Sequence, residues 1–125
     1  MLKKVAIAFG VVMLLVGVLG FIPGITTSDN LLLGIFKVNA IHNIIHLLTG
    51  AVALYVGMTS YKSSRVYFQV FGIVYALVAI LGFFYGDGDI LGIVSSNMAD
   101  TILHIVIALA ALYFGFASKA EEMAM

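Results

Sequence analysis

The chain contains no cysteine. Disulfide scaffolds, thiol catalysis, cysteine-ligated metal and covalent c-type haem attachment are all excluded by that absence. Charge is nearly as scarce. Only 10% of the 125 residues are Asp, Glu, Lys or Arg, and they balance to a formal net charge of zero. No basic patch exists to hold nucleic acid. The phosphate loop GxxxxGK[ST], the GxSxG elbow and the HExxH zinc motif are missing as well. No general base or nucleophile set stands outside His42, His46, Asp100 and His104, so an enzyme is the less favoured reading of the sequence.

What remains is apolar. Hydrophobic residues make up 63% of the chain and the mean hydropathy is +1.19, whereas a soluble domain is nearer half apolar and a quarter charged. The charges are also segregated, into Lys3 and Lys4, then Lys62 and Arg65, then Lys119, Glu121 and Glu122. Between these clusters run stretches long enough to cross a bilayer, which takes about 20 helical residues. Transmembrane helices are predicted near 4–22, 39–60, 66–85 and 97–117, forming one all-α domain over residues 1–125. Five of the six Lys/Arg residues lie at the N-terminus, in the YKSSR loop or at the C-terminus. The positive-inside rule then places both termini and the 61–65 loop in the cytoplasm, and the longer loops near 23–38 and 86–96 outside. The tail SKAEEMAM reads as a short solvated end. The opening MLKKVAIAFGVVMLLVG has the shape of a secretory signal, but VLGFIPG lacks a clean small-x-small cleavage site. It reads as a retained first helix, and an internal repeat supports this.

FGVVMLLVGVLGFIPG at 9–24 lies over FGIVYALVAILGFFYG at 71–86, with nine of sixteen positions identical. LLGIFKVNAIHNIIH at 32–46 lies over ILGIVSSNMADTILH at 90–104, and ALYVGMTS at 53–60 over ALYFGFAS at 111–118. The offset is 62 in the first helix of each pair and 58 in the second, so the first outer loop is four residues longer, within ITTSDN. The expected architecture is a tandem duplication of a two-helix hairpin, repeat one over about 4–60 and repeat two over about 66–118. Two spans return the chain to its starting side, so the halves would be parallel repeats about a pseudo-two-fold axis along the membrane normal. The second helices of the two halves are expected to meet near that axis. Each carries a small-xxx-small pair, Ala53/Gly57 and Ala111/Gly115, read first as ordinary helix packing rather than as a dimer face. LLLGIF and ILGIV, too short to cross and too apolar for open loops, read as interfacial or re-entrant segments. Pro23 with Gly24, and Gly86 with Asp87 and Gly88, are expected to end the first and third helices. The GDGD at 86–89 lacks the later Glu of a calcium loop and reads as a turn. Tyr55 and Tyr113 match across the repeat and read as packing or aromatic belt. Asn39 and Asn97 read as N-caps of the second and fourth helices, with Ser95 and Ser96 as rivals.

Under the repeat, His46 matches His104, His42 matches Asp100, and Asn43 matches Thr101. Residues four apart share a helix face, so His42 and His46 form one pair and Asp100 and His104 another. Were the two faces to meet, three imidazoles and a carboxylate would come together, a set that suits zinc or iron. His42, His46, Asp100 and His104 are the candidate metal ligands, with Asn39, Asn43, Asn97 and Thr101 around them. A second reading uses only His46 and His104, as ligands on both sides of a haem or another tetrapyrrole. A third makes the histidines a hydrogen-bonded clasp between helices, with no ligand. Ionisable residues inside a membrane are costly and usually face the bundle interior or water. The cytoplasmic halves of the helices offer few polar groups, which disfavours a transport path. Lipid is the expected partner, together with further copies of the chain or the subunits of a larger membrane complex.

GFIPGIT, LLGIFKVNAIHNIIHLLTG and NMADTILHIVIALAAL together resemble an uncharacterised family of bacterial four-span membrane proteins, the domain of unknown function 4383. The resemblance runs from about residue 5 to 117, and its most specific parts are H-N-x-x-H at 42–46 and A-D-x-x-x-H at 99–104. It implies the four-span fold and a place in the bacterial inner membrane, and it brings no activity, substrate or cofactor. Family members commonly resemble A-D-N at the second motif, where this chain has Ala99-Asp100-Thr101.

Overall fold

The computed structural model describes residues 1–117. Four helices dominate it: α1 (Leu2–Leu19), α2 (Ala40–Thr59), α3 (Tyr61–Tyr85) and α4 (Met98–Leu112), the last continuing as a π-helical turn over Tyr113–Ala117. All four are long and apolar enough to cross a bilayer once that turn is counted with α4. The protein is an integral membrane protein of four candidate spans. The tail 118–125, read above as a solvated end, lies outside the described residues.

Each helix buries a narrow stripe and shows the rest outward. On α1 the stripe is Leu2, Ala6, Gly10, Met13 and Gly17, while Val11, Val12, Leu15 and Val18 are exposed. On α2 it is His42, Asn43, His46, Gly50, Ala53 and Gly57. Lipid tails are as apolar as leucine, so spans associate by close packing, and small residues make that possible. Gly10 lies against the Gly50 carbonyl and Leu54 backbone, Gly57 against Ile7 and the Lys3 carbonyl, and Gly72 against Leu112. α1 thus packs chiefly on α2, and α3 on α4. The small-xxx-small pairs serve these hairpins, since Gly115 lies against Gln69 of α3 and Ala53 and Ala111 are buried. Tyr55 and Tyr113 are exposed on the outward face, as an aromatic belt requires.

Three local expectations change. The 61–65 segment is helix, and the α2–α3 connection shrinks to Ser60, in extended conformation. The Ser60 side chain accepts from the Ser63 N–H at 3.0 Å, capping α3. The Ser64 hydroxyl donates to the Val56 carbonyl at 3.1 Å, joining the Ser60 N–H and the Ser63 hydroxyl on the same end carbonyl of α2. Helix α1 stops at Leu19, before Pro23, with Gly20 as its C-cap; Gly86 does end α3, at φ +58°. LLLGIF, expected as an interfacial or re-entrant segment, folds as a small antiparallel hairpin that does not re-enter the bundle as a helix. Strands β1 (Leu31–Leu32) and β2 (Phe36–Lys37) pair Leu31 with Lys37 and Leu32 with Phe36. Its turn places Leu33 and Gly34 at φ +56° and +73°, and the turn in ILGIV places Leu91 and Gly92 at +54° and +71°. Two consecutive positive φ values are the demand of a mirror-image turn, and a glycine second in the turn lowers its cost.

Candidate functional site

Two asparagines position the histidines. Asn39 accepts from the His42 N–H at 2.8 Å, capping α2, and its Nδ2 donates to the Ile93 carbonyl at 2.9 Å. Asn97 accepts from the Asp100 N–H at 2.9 Å, and its Nδ2 donates to the Ile35 carbonyl at 2.9 Å. Each cap therefore closes its own helix and grips the loop of the other hairpin. The Asp100 carboxylate accepts from the Asn97 N–H at 3.1 Å, completing a capping box. Asp87, in the GDGD turn, accepts from the Met98 N–H at 3.1 Å and adds a second hold on the same helix end. The helical phase of His42, His46 and His104 is set by these bonds.

Within that frame, His42, His46 and His104 converge, each offering a ring nitrogen, with the three nitrogens within 4.8 Å of one another. Their exposures are 3%, 8% and 4%. The His42 ring centroid lies 4.5 Å from that of His46 and 6.0 Å from that of His104. Tyr75 packs on His104 at 5.0 Å, at the head of an aromatic column that continues through Phe71. The His42 Nδ1–H donates to the Ser95 carbonyl at 2.7 Å. That bond sets the tautomer and leaves Nε2 carrying the lone pair.

His46 and His104 differ. The Nδ1 atom of each is buried and has no hydrogen-bond partner, as do Asn43 Oδ1, Ser96 Oγ and Thr101 Oγ1. Buried polar atoms are nearly always paired, and each exception calls for an explanation. All five belong to the loop-bearing end of the bundle. Asn43 and Thr101 stay outside the histidine group, each filling a notch in the neighbouring helix: a Cβ on Gly20 would strike the Asn43 amide, and one on Gly82 would strike the Thr101 hydroxyl. Asp100 is likewise not among the grouped ligand atoms. It lines a cavity beside His46 and His104 while its carboxylate serves as a cap. The Ser95 carbonyl and Tyr75 are contributions the sequence did not announce. A backbone acceptor leaves no mark in a sequence, and a buried tyrosine in an aromatic-rich helix reads as packing.

Four apolar candidate spans around a buried cluster of three histidines define a small membrane protein with a polar site enclosed in its loop-bearing half. The chain belongs to the family described as domain of unknown function (DUF4383), which it matches over residues 3–117. No curated protein and no solved structure matches it.

Proposed function

We propose that the protein is a membrane metal-binding protein in which His42, His46 and His104 hold one zinc or iron ion. The observation that carries this reading is the convergence of three buried imidazoles, two of which have a ring nitrogen with no protein partner. Neutral imidazole is the ordinary ligand of both metals. Zinc–nitrogen bonds of about 2.0–2.1 Å would put tetrahedral ligand atoms roughly 3.3 Å apart, so modest ring rotations close the set. The His42–Ser95 hydrogen bond is the outer contact that metal-bound histidines ordinarily make. Asp100, beside His46 and His104, places a negative charge near an ion held by neutral ligands. Asn39 and Asn97 fix the helix ends, and Asn43 and Thr101 set the spacing of each hairpin.

Two other readings are weaker. A metal-free clasp, suited to an accessory subunit of a membrane complex, draws on the His42–Ser95 bond but leaves the His46 and His104 nitrogens unpaired. A tetrapyrrole between His46 and His104 conflicts with His42. A nitrogen within 4.8 Å of both axial atoms falls inside the footprint of the macrocycle itself.

Tandem duplication of a two-helix hairpin is part of the same proposal, with the halves related by a pseudo-two-fold axis. Matched contacts support it: Gly20 with Asn43 and Gly82 with Thr101, Gly57 with Ile7 and Gly115 with Gln69, and the exchanged Asn39–Ile93 and Asn97–Ile35 bonds. By the distribution of Lys and Arg, the termini face the bacterial cytoplasm and the site faces outward. The test of function is elemental analysis of protein purified in detergent without chelator. Near-stoichiometric zinc or iron, absent from a His46→Ala/His104→Ala variant, is expected; wild-type protein free of metal after dialysis against either ion would refute it.

A further inference from the structure

Two cavities meet at the histidines. One, of about 300 Å³, lies between α1 and α4 under the first hairpin and runs from Val12 and Leu33 to His46 and His104. The other, of about 200 Å³, lies between α2 and α3 under the second turn and runs from Ile45 and Leu91 to the same two imidazoles, with His42 and Ser96. Val12 and Ile45 are exposed on helix surfaces of candidate membrane spans, and Leu33 and Leu91 on the apolar turns above them, so both mouths open on the apolar flank of the bundle rather than on its polar ends. Apart from Tyr75, and from Asp100 and Ser96 at the histidine ends, the remaining linings are aliphatic side chains, phenyl rings and the Met13 thioether. Apolar cavities of roughly 150 Å³ stay dry and take up small apolar molecules such as xenon or benzene. A charged or strongly hydrated ligand would have to shed its water to pass such walls.

Three histidines also leave a four-coordinate ion one position short. Resting on the metal reading above, we infer that this position takes a small uncharged diatomic gas which enters from the membrane through the two cavities. Such gases dissolve better in hydrocarbon than in water, so the bilayer acts as their reservoir. The Ser96 hydroxyl, fully buried and without a protein partner, lines the second cavity beside the imidazoles and is available to donate to the bound molecule.

The experiment uses the full chain in lipid nanodiscs, loaded anaerobically with Fe(II), and nitric oxide as the probe. Adduct formation is followed by absorbance and electron paramagnetic resonance, and iron content is measured on the same samples. A parallel Co(II)-loaded sample is challenged with azide, an anion of comparable size. A nitrosyl adduct and a cobalt spectrum unmoved by azide are expected. Val16→Phe combined with Val78→Phe, one plug in each cavity, should slow adduct formation by at least about tenfold, since entry must then wait for local opening. Ile45→Phe with Leu103→Phe provides an independent pair of plugs if the first pair disturbs iron binding. Bound iron with no nitrosyl adduct overturns the inference and spares the metal reading, as does an azide response equal to that of nitric oxide. Plugs that leave the rate unchanged at full iron content also overturn it. Failure of the wild-type protein to bind Fe(II) overturns this inference, and failure to bind Fe(II), Co(II) and Zn(II) alike overturns the metal reading with it.

Discussion

From the end of the bundle that carries the termini, an apolar cluster of Leu2, Ala6, Tyr61, Phe68, Phe71, Ala108 and Ala111 runs up to Tyr75 below the histidines, and Phe9 meets Phe71 edge-on at 5.2 Å. Polar groups there are paired. Arg65 and Gln69 both donate to the Gly115 carbonyl, at 3.0 and 2.9 Å, and the Tyr67 hydroxyl donates to the Thr49 carbonyl at 3.0 Å. At the end that carries the hairpins, His42, Asn43, His46, Ser95, Ser96, Asp100, Thr101 and His104 are buried beside Leu32, Val38 and Ile90, and among the described residues this end holds all the buried polar side-chain atoms without partners. Burying a polar group unpaired costs free energy, with no return in packing. On the metal-binding proposal, the end that pairs its polar atoms supplies stability and the end that leaves them open supplies the binding site.

Breaking this comparison begins with the largest effect. Replacing His46 and His104 by alanine should abolish metal binding, while the metal-free variant unfolds at nearly the same denaturant concentration as metal-free wild type; a collapse of the fold would mean that the histidines are chiefly structural. Phe68→Ala should do the reverse. Loss of a buried phenyl ring costs about 3 kcal/mol or more, read by detergent-based unfolding, with metal stoichiometry unchanged. Asn97→Ala should be intermediate. It removes a cap, the capping box and the bond to Ile35, and a disturbed outer shell lowers metal affinity by about 10- to 100-fold, measured by competition with a chromophoric chelator. Thr101→Val should be the smallest, within about 0.5 kcal/mol of wild type, because no hydrogen bond is lost where none is made.

Helices were legible in the sequence because nothing but lipid accommodates such long apolar runs. The asparagine caps could be read from Asn39 and Asn97, since a short side chain ahead of an apolar run has few other uses. The convergence of His42, His46 and His104 was legible only through the proposed repeat, which aligns His46 with His104. Asp100 shows where that reasoning stops. Its match to His42 suggested a fourth ligand, but a carboxylate three residues after an N-cap has a nearer use on its own helix. The hairpins at Leu31–Lys37 and Ile90–Val94 were hidden because Leu33 and Leu91 take left-handed backbone, which a β-branched or apolar run does not advertise. Ser60 concealed a one-residue turn for a similar reason: the basic YKSSR segment looked like loop when its serines cap and brace helix ends.

X-ray absorption at the metal edge, on protein reconstituted with zinc, tests the central claim most directly. It counts the imidazoles and measures their distances in one experiment. Three histidine nitrogens at about 2.0–2.1 Å with one further light ligand are expected, falling to fewer imidazoles in a His42→Ala variant. A shell of oxygen atoms alone, or the same spectrum from protein lacking His46 and His104, would contradict the account.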